Sequence, residues 1–201
     1  IAFDKELWNG IILNGKLKTL EQRTSALAKM PLAFNPGSKW NYSFSPDVVG
    51  RLVEVLSGKT LDVYLQEHIF TPLEMKNSGY NLDEAQQKRI QSVYAFGADS
   101  TLKRTMGQPT ATGNTVFAGI NALFTSTADY LRFGEMLLNQ GSWNGKQILK
   151  PETVALMTQD HTQGIERLDG KDTFERLGNG IVTDELKTLN LEPGHGFGLG
   201  F

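Results

Sequence analysis

The stretch KWNYSFSPDVVG (39–50) sets a Trp, a Tyr and two Ser in a polar turn directly before a strongly apolar helical pattern. Trp40, Tyr42 and Phe44 alternate in an extended segment, bounded by Pro36-Gly37 on one side and Ser45 on the other. Alternation turns Trp40 and Phe44 one way and Ser43 the other. A Tyr at a loop-to-helix junction, held by packing on both flanks, can aim its hydroxyl into a cleft. A phenol beside a Lys is pushed toward the phenolate and can work as a general base. Catalysis by Tyr42 is one reading. The plainer one is a buried Tyr whose hydroxyl satisfies a loop carbonyl.

Other reactive side chains are sparse. Ser100-Thr101-Leu102-Lys103 spells S-x-x-K, in which an amine one helical turn away can accept the hydroxyl proton. That geometry needs a helix start in a buried cleft, whereas Ser100 stands in a polar stretch beside Asp99 and Lys103-Arg104. A solvated turn is the expected outcome. His68, His161 and His195 are far apart and none belongs to a ligand-spaced pair, so a metal site is not expected. The chain has no Cys, which removes disulfides, thiolate nucleophiles and Cys-based metal centres. There is no G-x-S-x-G, no P-loop and no dinucleotide-binding glycine motif, and no cofactor is expected.

Composition narrows the partners. Net charge is −2, and no Lys/Arg cluster is dense enough to follow a phosphate backbone, so nucleic acid is not an expected partner. No run approaches the roughly 18 apolar residues needed to span a bilayer, so no transmembrane segment is expected. At 201 residues the chain can bury a sizeable core.

These residues need elements to hold them. TLEQRTSALAKM (19–30) reads as an amphipathic helix, with Leu20, Thr24, Leu27 and Ala28 on one side. Residues 31–40 read as a loop, because Pro31, Pro36 and Gly37 forbid regular structure. Residues 45–58 form the clearest helix, with Ser45 as N-cap, Pro46 in the first turn, Asp47 near the positive terminus and Gly58 as the stop. Val48, Val49, Leu52, Val53, Val55 and Leu56 give it a broad apolar face expected to anchor the Tyr42 turn. Further helices are expected over 60–70 with Thr60 as cap, 83–90, 126–141 and 151–161. Residues 92–97 read as a strand and 99–114 as a polar loop with a hairpin. Phe197, Leu199 and Phe201 repeat with period two, so 193–201 reads as a strand that the chain end interrupts. A chain beginning at Ile1 and ending inside a strand pattern reads as a central fragment.

PLAFNPGSKWNYSFSPDVVGRLVEVLSGKTLDVYLQEHIFTPLEM (31–75) resembles the middle of the serine β-lactamase-related hydrolases, which include class C β-lactamases, family VIII carboxylesterases and D-alanyl-D-alanine peptidases. The shared pattern runs P-G-x-x-W-x-Y-S, D-V-x-G, S-G and I-F-x-P-L-G-M. FAGINALFTSTADYLRF (117–133) is similar to the family's G-G-G-L-x-S-T-A-x-D-Y-x-R-F, and ILKPETVALM (148–157) to its I-L-x-P-x-T-V-x-L-M. The resemblance runs in order over about residues 20 to 201.

The resemblance implies a fold and a reaction. The fold would be mainly α: residues 1–192 as a helical domain of the β-lactamase/transpeptidase-like α+β fold, with few short strands, and 193–201 as the first strand of a returning α/β domain. The reaction would be attack of a Ser on an ester or amide carbonyl, an acyl-enzyme, and release by water. Tyr42 takes the place of the family's general acid/base, with Ser43, Phe44 and Asn121 as substrate-contacting candidates. Phe44 stands where class C β-lactamases carry Asn, which leans toward the esterase branch. Glu74 replaces a common Gly, and Gly119-Ile120-Asn121 departs from an all-Gly run. No S-x-x-K precedes Tyr42, so the nucleophile and the closing third motif are expected from further N- and C-terminal segments of the same protein. The substrate would be a small ester or β-lactam, and the compartment periplasmic or extracellular, with the cytoplasm as alternative. A non-catalytic penicillin-binding-like or cell-wall ligand-binding domain is the second reading, and a helical interaction domain the third.

Overall fold

The computed structural model describes residues 16–32, 34–40, 44–97, 100–106, 111–167 and 197–200. Among them are six α-helices, one π-helical turn and three two-stranded ladders. Helix α1 (Leu20–Leu27) starts where the Thr19 side chain accepts the Gln22 N–H at 3.1 Å. It buries Leu20 and, unexpectedly, Arg23, one turn further along the same face.

Helix α2 (Ser45–Ser57) ends as expected at Gly58, whose φ of 70° favours a residue without Cβ. Its start differs from expectation. Ser45 already lies inside the helix, Phe44 is the flanking residue, and no side chain caps the terminus. Pro46 and the Asp47 N–H, which donates to Phe44 O at 3.0 Å, open the first turn instead. The anchoring face also differs. Val48, Val49, Leu52, Val55 and Leu56 are each more than half exposed, and α2 is buried through Asp47 and Gly50. Gly50 lets the helix approach closely: a Cβ there would stand 2.9 Å from Leu61 Cδ2 and 3.2 Å from Leu20 Cδ2.

The single helix expected over 60–70 divides. α3 (Leu61–Leu65) follows Thr60, which takes the cap position without a side-chain bond, and a π-helical turn (Gln66–Phe70) closes with Thr71 N–H on Gln66 O at 2.9 Å. The wider turn delivers Phe70 to a core cluster with Leu73, Met75 and Met136. Helix α4 (Glu84–Gln87) is shorter than expected and carries an Asp83/Gln86 capping box.

Strand β1 (Lys39–Trp40) precedes α2, and β2 (Val93–Phe96) and β3 (Leu102–Met106) follow α4; β2 is the expected strand, and it pairs antiparallel with β3, which lies in the stretch expected to be a polar loop with its own hairpin. Helix α5 (Thr127–Leu138), capped by Ser126, packs Phe133 and Leu137 on the core. Strands β4 (Ser142–Trp143) and β5 (Lys146–Gln147) turn on Asn144 and Gly145, with φ of 48° and 75°, the backbone that a two-residue hairpin loop requires. Helix α6 (Pro151–Thr158) follows, then β6 (Glu166–Arg167), which pairs parallel with β1. Residues 31–40 are therefore not wholly loop. Of the strand expected over 193–201, residues 193–196 and 201 lie outside the described residues. Residues 197–200 run irregularly beside α6: Phe197 O accepts His161 N–H, and Leu199 N–H donates to Met157 O, both at 2.9 Å.

Candidate active site

The N-terminus of α2 is built around one buried acid. Asp47 is wholly buried. Its Oδ1 accepts the Ile120 N–H at 3.1 Å, and its Oδ2 lies 2.9 Å from Arg23 Nε of α1. The Arg23 guanidinium sits 5.3 Å from the centre of the Phe44 ring. This cation over an aromatic face is worth about 0.5–2 kcal/mol. Helix α1, the α2 terminus and the 118–121 segment thus meet on Asp47.

That segment belongs to a loop laced to residues 78–82. The Ser78 and Thr125 hydroxyls bond at 2.8 Å, and Gly79 and Phe124 exchange both backbone bonds at 2.9 Å. Asn114 bonds Asn81 through its N–H and C=O at 2.8 and 3.0 Å, and Leu82 N–H reaches Ala111 O at 2.7 Å. Tyr80, buried, donates its hydroxyl to Ala118 O at 2.7 Å. Burial pushes the Tyr80 hydroxyl pKa well up, and Asp47, Asp62 and Glu54 add to it, so the phenol stays protonated as a donor. Between Ala118 and Phe124 the chain bows out as an arc. Gly119 touches the α2 terminus so closely that a Cβ would lie 2.1 Å from Pro46 O. Ala122 takes a φ of 70°, a left-handed backbone that costs an L residue about 1–2 kcal/mol.

The expected site residues fall out as follows. Tyr42 and Ser43 lie outside the described residues. Phe44 is half-buried against Arg23, and Asn121 is exposed in the arc. Asp47 bonds beside both: its N–H donates to Phe44 O, and its carboxylate accepts from Ile120, the residue before Asn121. Trp40 packs against Phe197, with ring centroids 5.2 Å apart and planes tilted by 50°.

The S-x-x-K lies on the β2–β3 hairpin. Ser100 sits in its turn with a φ of 58°, its N–H on Gly97 O, and Lys103 lies on β3 opposite Ala95. Turn and strand do not give the one-turn helical spacing that the reaction needs. His68 is half-exposed and packs its ring, tilted, 4.4 Å from that of Tyr64, and His161 Nε2 is 2.7 Å from Leu156 O. His195 lies outside the described residues.

The S-T-A-x-D-Y-x-R-F block builds a second buried acid. Asp129 Oδ2 accepts the Asn77 N–H at 2.6 Å and the Ser78 hydroxyl at 3.0 Å, while Oδ1 pairs with Arg132 at 3.0 Å. Arg132 also donates to Glu74 O at 2.7 Å, which holds the turn where Glu74 has a φ of 53°. Sequence reasoning missed Asp47, Arg23 and Tyr80 as supports of the site. An Arg one turn from buried Leu20, and an Asp between Pro46 and an apolar run, were the available signals.

Comparison with known proteins turns this architecture into a family assignment. The family model described as Beta-lactamase matches residues 4–189. The chain belongs to the beta-lactamase family. Within that family it is 32% identical over 137 residues to Protein Rv1367c of Mycobacterium tuberculosis, covering 68% of this chain and 34% of that protein. It is 31% identical over 136 residues to the Lovastatin esterase of Penicillium rubens, covering 65% and 33%. The solved structure of EstCE1, described as a hydrolase with promiscuous acyltransferase activity, superposes with a TM-score of 0.65 at 25% identity, covering 92% of this chain and 46% of that one. The chain spans about a third of the length of the curated beta-lactamase relatives it matches. The six helices and short ladders are thus part of a β-lactamase/transpeptidase-like fold.

Proposed function

We propose that this chain is part of a serine hydrolase that forms an acyl-enzyme on short-chain esters, with Tyr42 as general acid/base and Ser43, Phe44 and Asn121 lining the substrate cleft. In this reading a Ser hydroxyl, supplied outside these residues, attacks the ester carbonyl. Its proton passes through Tyr42 to the leaving alcohol, and water then releases the acid. The observation that carries the proposal is the likeness to EstCE1 over 92% of the chain. The Lovastatin esterase likeness and Phe44 at the third position of the Tyr42 motif support the ester branch over β-lactams.

The test uses the full-length protein with a p-nitrophenyl ester and with a penicillin, followed by intact mass and by rate. The expected result is an acyl adduct with the ester, and a fall in kcat/KM of about a hundredfold or more for Tyr42→Phe at an unchanged Tm. Parent-like turnover in Tyr42→Phe removes the role assigned to Tyr42. A lasting penicillin adduct without ester turnover moves the protein to the penicillin-binding branch. The 201-residue chain alone is expected to form no adduct, and an adduct mapped to Ser100 would overturn the reading of that residue.

A further inference from the structure

Helix α2 could satisfy its N-terminus with a Ser, Thr or Asn in contact with water, yet it has no side-chain cap, and its Asp47 is wholly buried. Taking a carboxylate out of water is costly, and pairing it with Arg23 does not by itself recover that cost. The second carboxylate oxygen shows what burial achieves: Oδ1 reaches Ile120 N–H, 73 residues away in sequence. Three successive residues of the arc are held by three different devices. Tyr80 holds Ala118 O, Pro46 O abuts Gly119, and Asp47 holds Ile120. The next residue is Asn121. On the other side, the Asp47 N–H closes the first turn of α2, which starts at Phe44. One residue therefore bonds both the α2 terminus at Phe44 and the arc at Ile120, through its own backbone and side chain.

We propose that Asp47 is a positioning residue, which through the Ile120 N–H keeps the Asn121 arc in register with the α2 terminus at Phe44. This rests on the acyl-transfer reading above. Arg23 supplies the opposite charge paired with Asp47, and the register comes from the Ile120 bond.

Two double variants of the full-length protein separate these roles. Arg23→Met with Asp47→Asn removes the ion pair but keeps an acceptor for Ile120. Arg23→Met with Asp47→Leu removes both at similar volume, and neither leaves an unpaired buried charge. The Asn pair is expected to keep kcat on p-nitrophenyl ester within about threefold of the parent. The Leu pair is expected to lose about a hundredfold in kcat with KM little changed, the size that a small misplacement produces. Amide hydrogen exchange at Ile120 is expected to speed up in the Leu pair alone. Equal kcat in the two pairs overturns the proposal, whether or not Ile120 exchange differs. If the Leu pair does not fold, Arg23→Met with Asp47→Ala takes its place. Tyr42→Phe in the same assay scores the acyl-transfer reading separately: a parent-like rate there sinks that reading, whereas a parent-like rate in the Leu pair sinks the role of Asp47 alone.

Discussion

Glu74 shows how a residue's type and its backbone can disagree. It occupies a position where the family commonly has Gly, and its φ is 53°. The turn persists because Glu74 N–H donates to Thr71 O at 3.1 Å and Glu74 O accepts from Arg132, which Asp129 orients. A left-handed backbone costs an L residue about 1–2 kcal/mol, while Gly adds less than that to unfolded-state entropy. Glu74→Gly is therefore expected to stabilise the chain by up to about 1 kcal/mol in urea unfolding. A loss of stability would show that the Glu side chain contributes contacts of its own. Ala122, in the arc, is strained in the same sense, and strain of this kind concentrates at functional sites.

At the scale of elements, close approach rather than apolar area joins α2 to its neighbours. Gly50 faces the flexible ends of Leu61 and Leu20, while Gly119 faces the rigid Pro46 carbonyl. Gly50→Ala gains about 1 kcal/mol of helix propensity against an overpacking cost of about 1–3 kcal/mol. Its net effect is expected to be small. Gly119→Ala has no such compensation, and its Cβ would stand 2.1 Å from backbone oxygen, so the arc must move. A loss of more than about 2 kcal/mol is expected, with the larger share of any fall in activity. Equal losses for the two variants, measured by chemical unfolding, would mean that the arc is not seated on α2 as described. The family block around Asp129 works at this scale too: Ser126 caps α5, Asp129 gathers the 77–78 turn, and Arg132 closes the Glu74 turn.

For the molecule as a whole, the exposed apolar face of α2 stands out. Val48, Val49, Leu52, Val55 and Leu56 form a contiguous helical stripe, and a net charge of −2 gives little repulsion between copies. The 201-residue chain is expected to self-associate through this stripe. Leu52→Glu with Leu56→Lys should lower light scattering and shift unfolding free energy by no more than about 0.5 kcal/mol per site, as for exposed positions elsewhere. A loss of several kcal/mol would mean that the stripe is packed.

Helices α1, α2, α5 and α6 were legible in the sequence because their signals are local: Thr19, Ser126, Pro46, Pro151 and Gly58 act within one turn of themselves. Strand β2 and the family motifs were legible for the same reason, whereas β3 falls in a stretch that reads as a polar loop. The split of the 60–70 helix was not, since a π-helical turn is chosen by the core that receives Phe70. Nor was the burial of Asp47 and Arg23 beneath an apolar-looking helix. Periodicity reports which faces are apolar, but which face finds a partner depends on chain brought from 73 residues away, at Ile120. The sequence by itself determined the local elements, the family and the candidates Tyr42, Ser43, Phe44 and Asn121. Only the tertiary structure decided that the buried Asp47 carboxylate ties the α2 terminus to Ile120, beside Asn121, because that contact is a long-range hydrogen bond with no trace in local spacing.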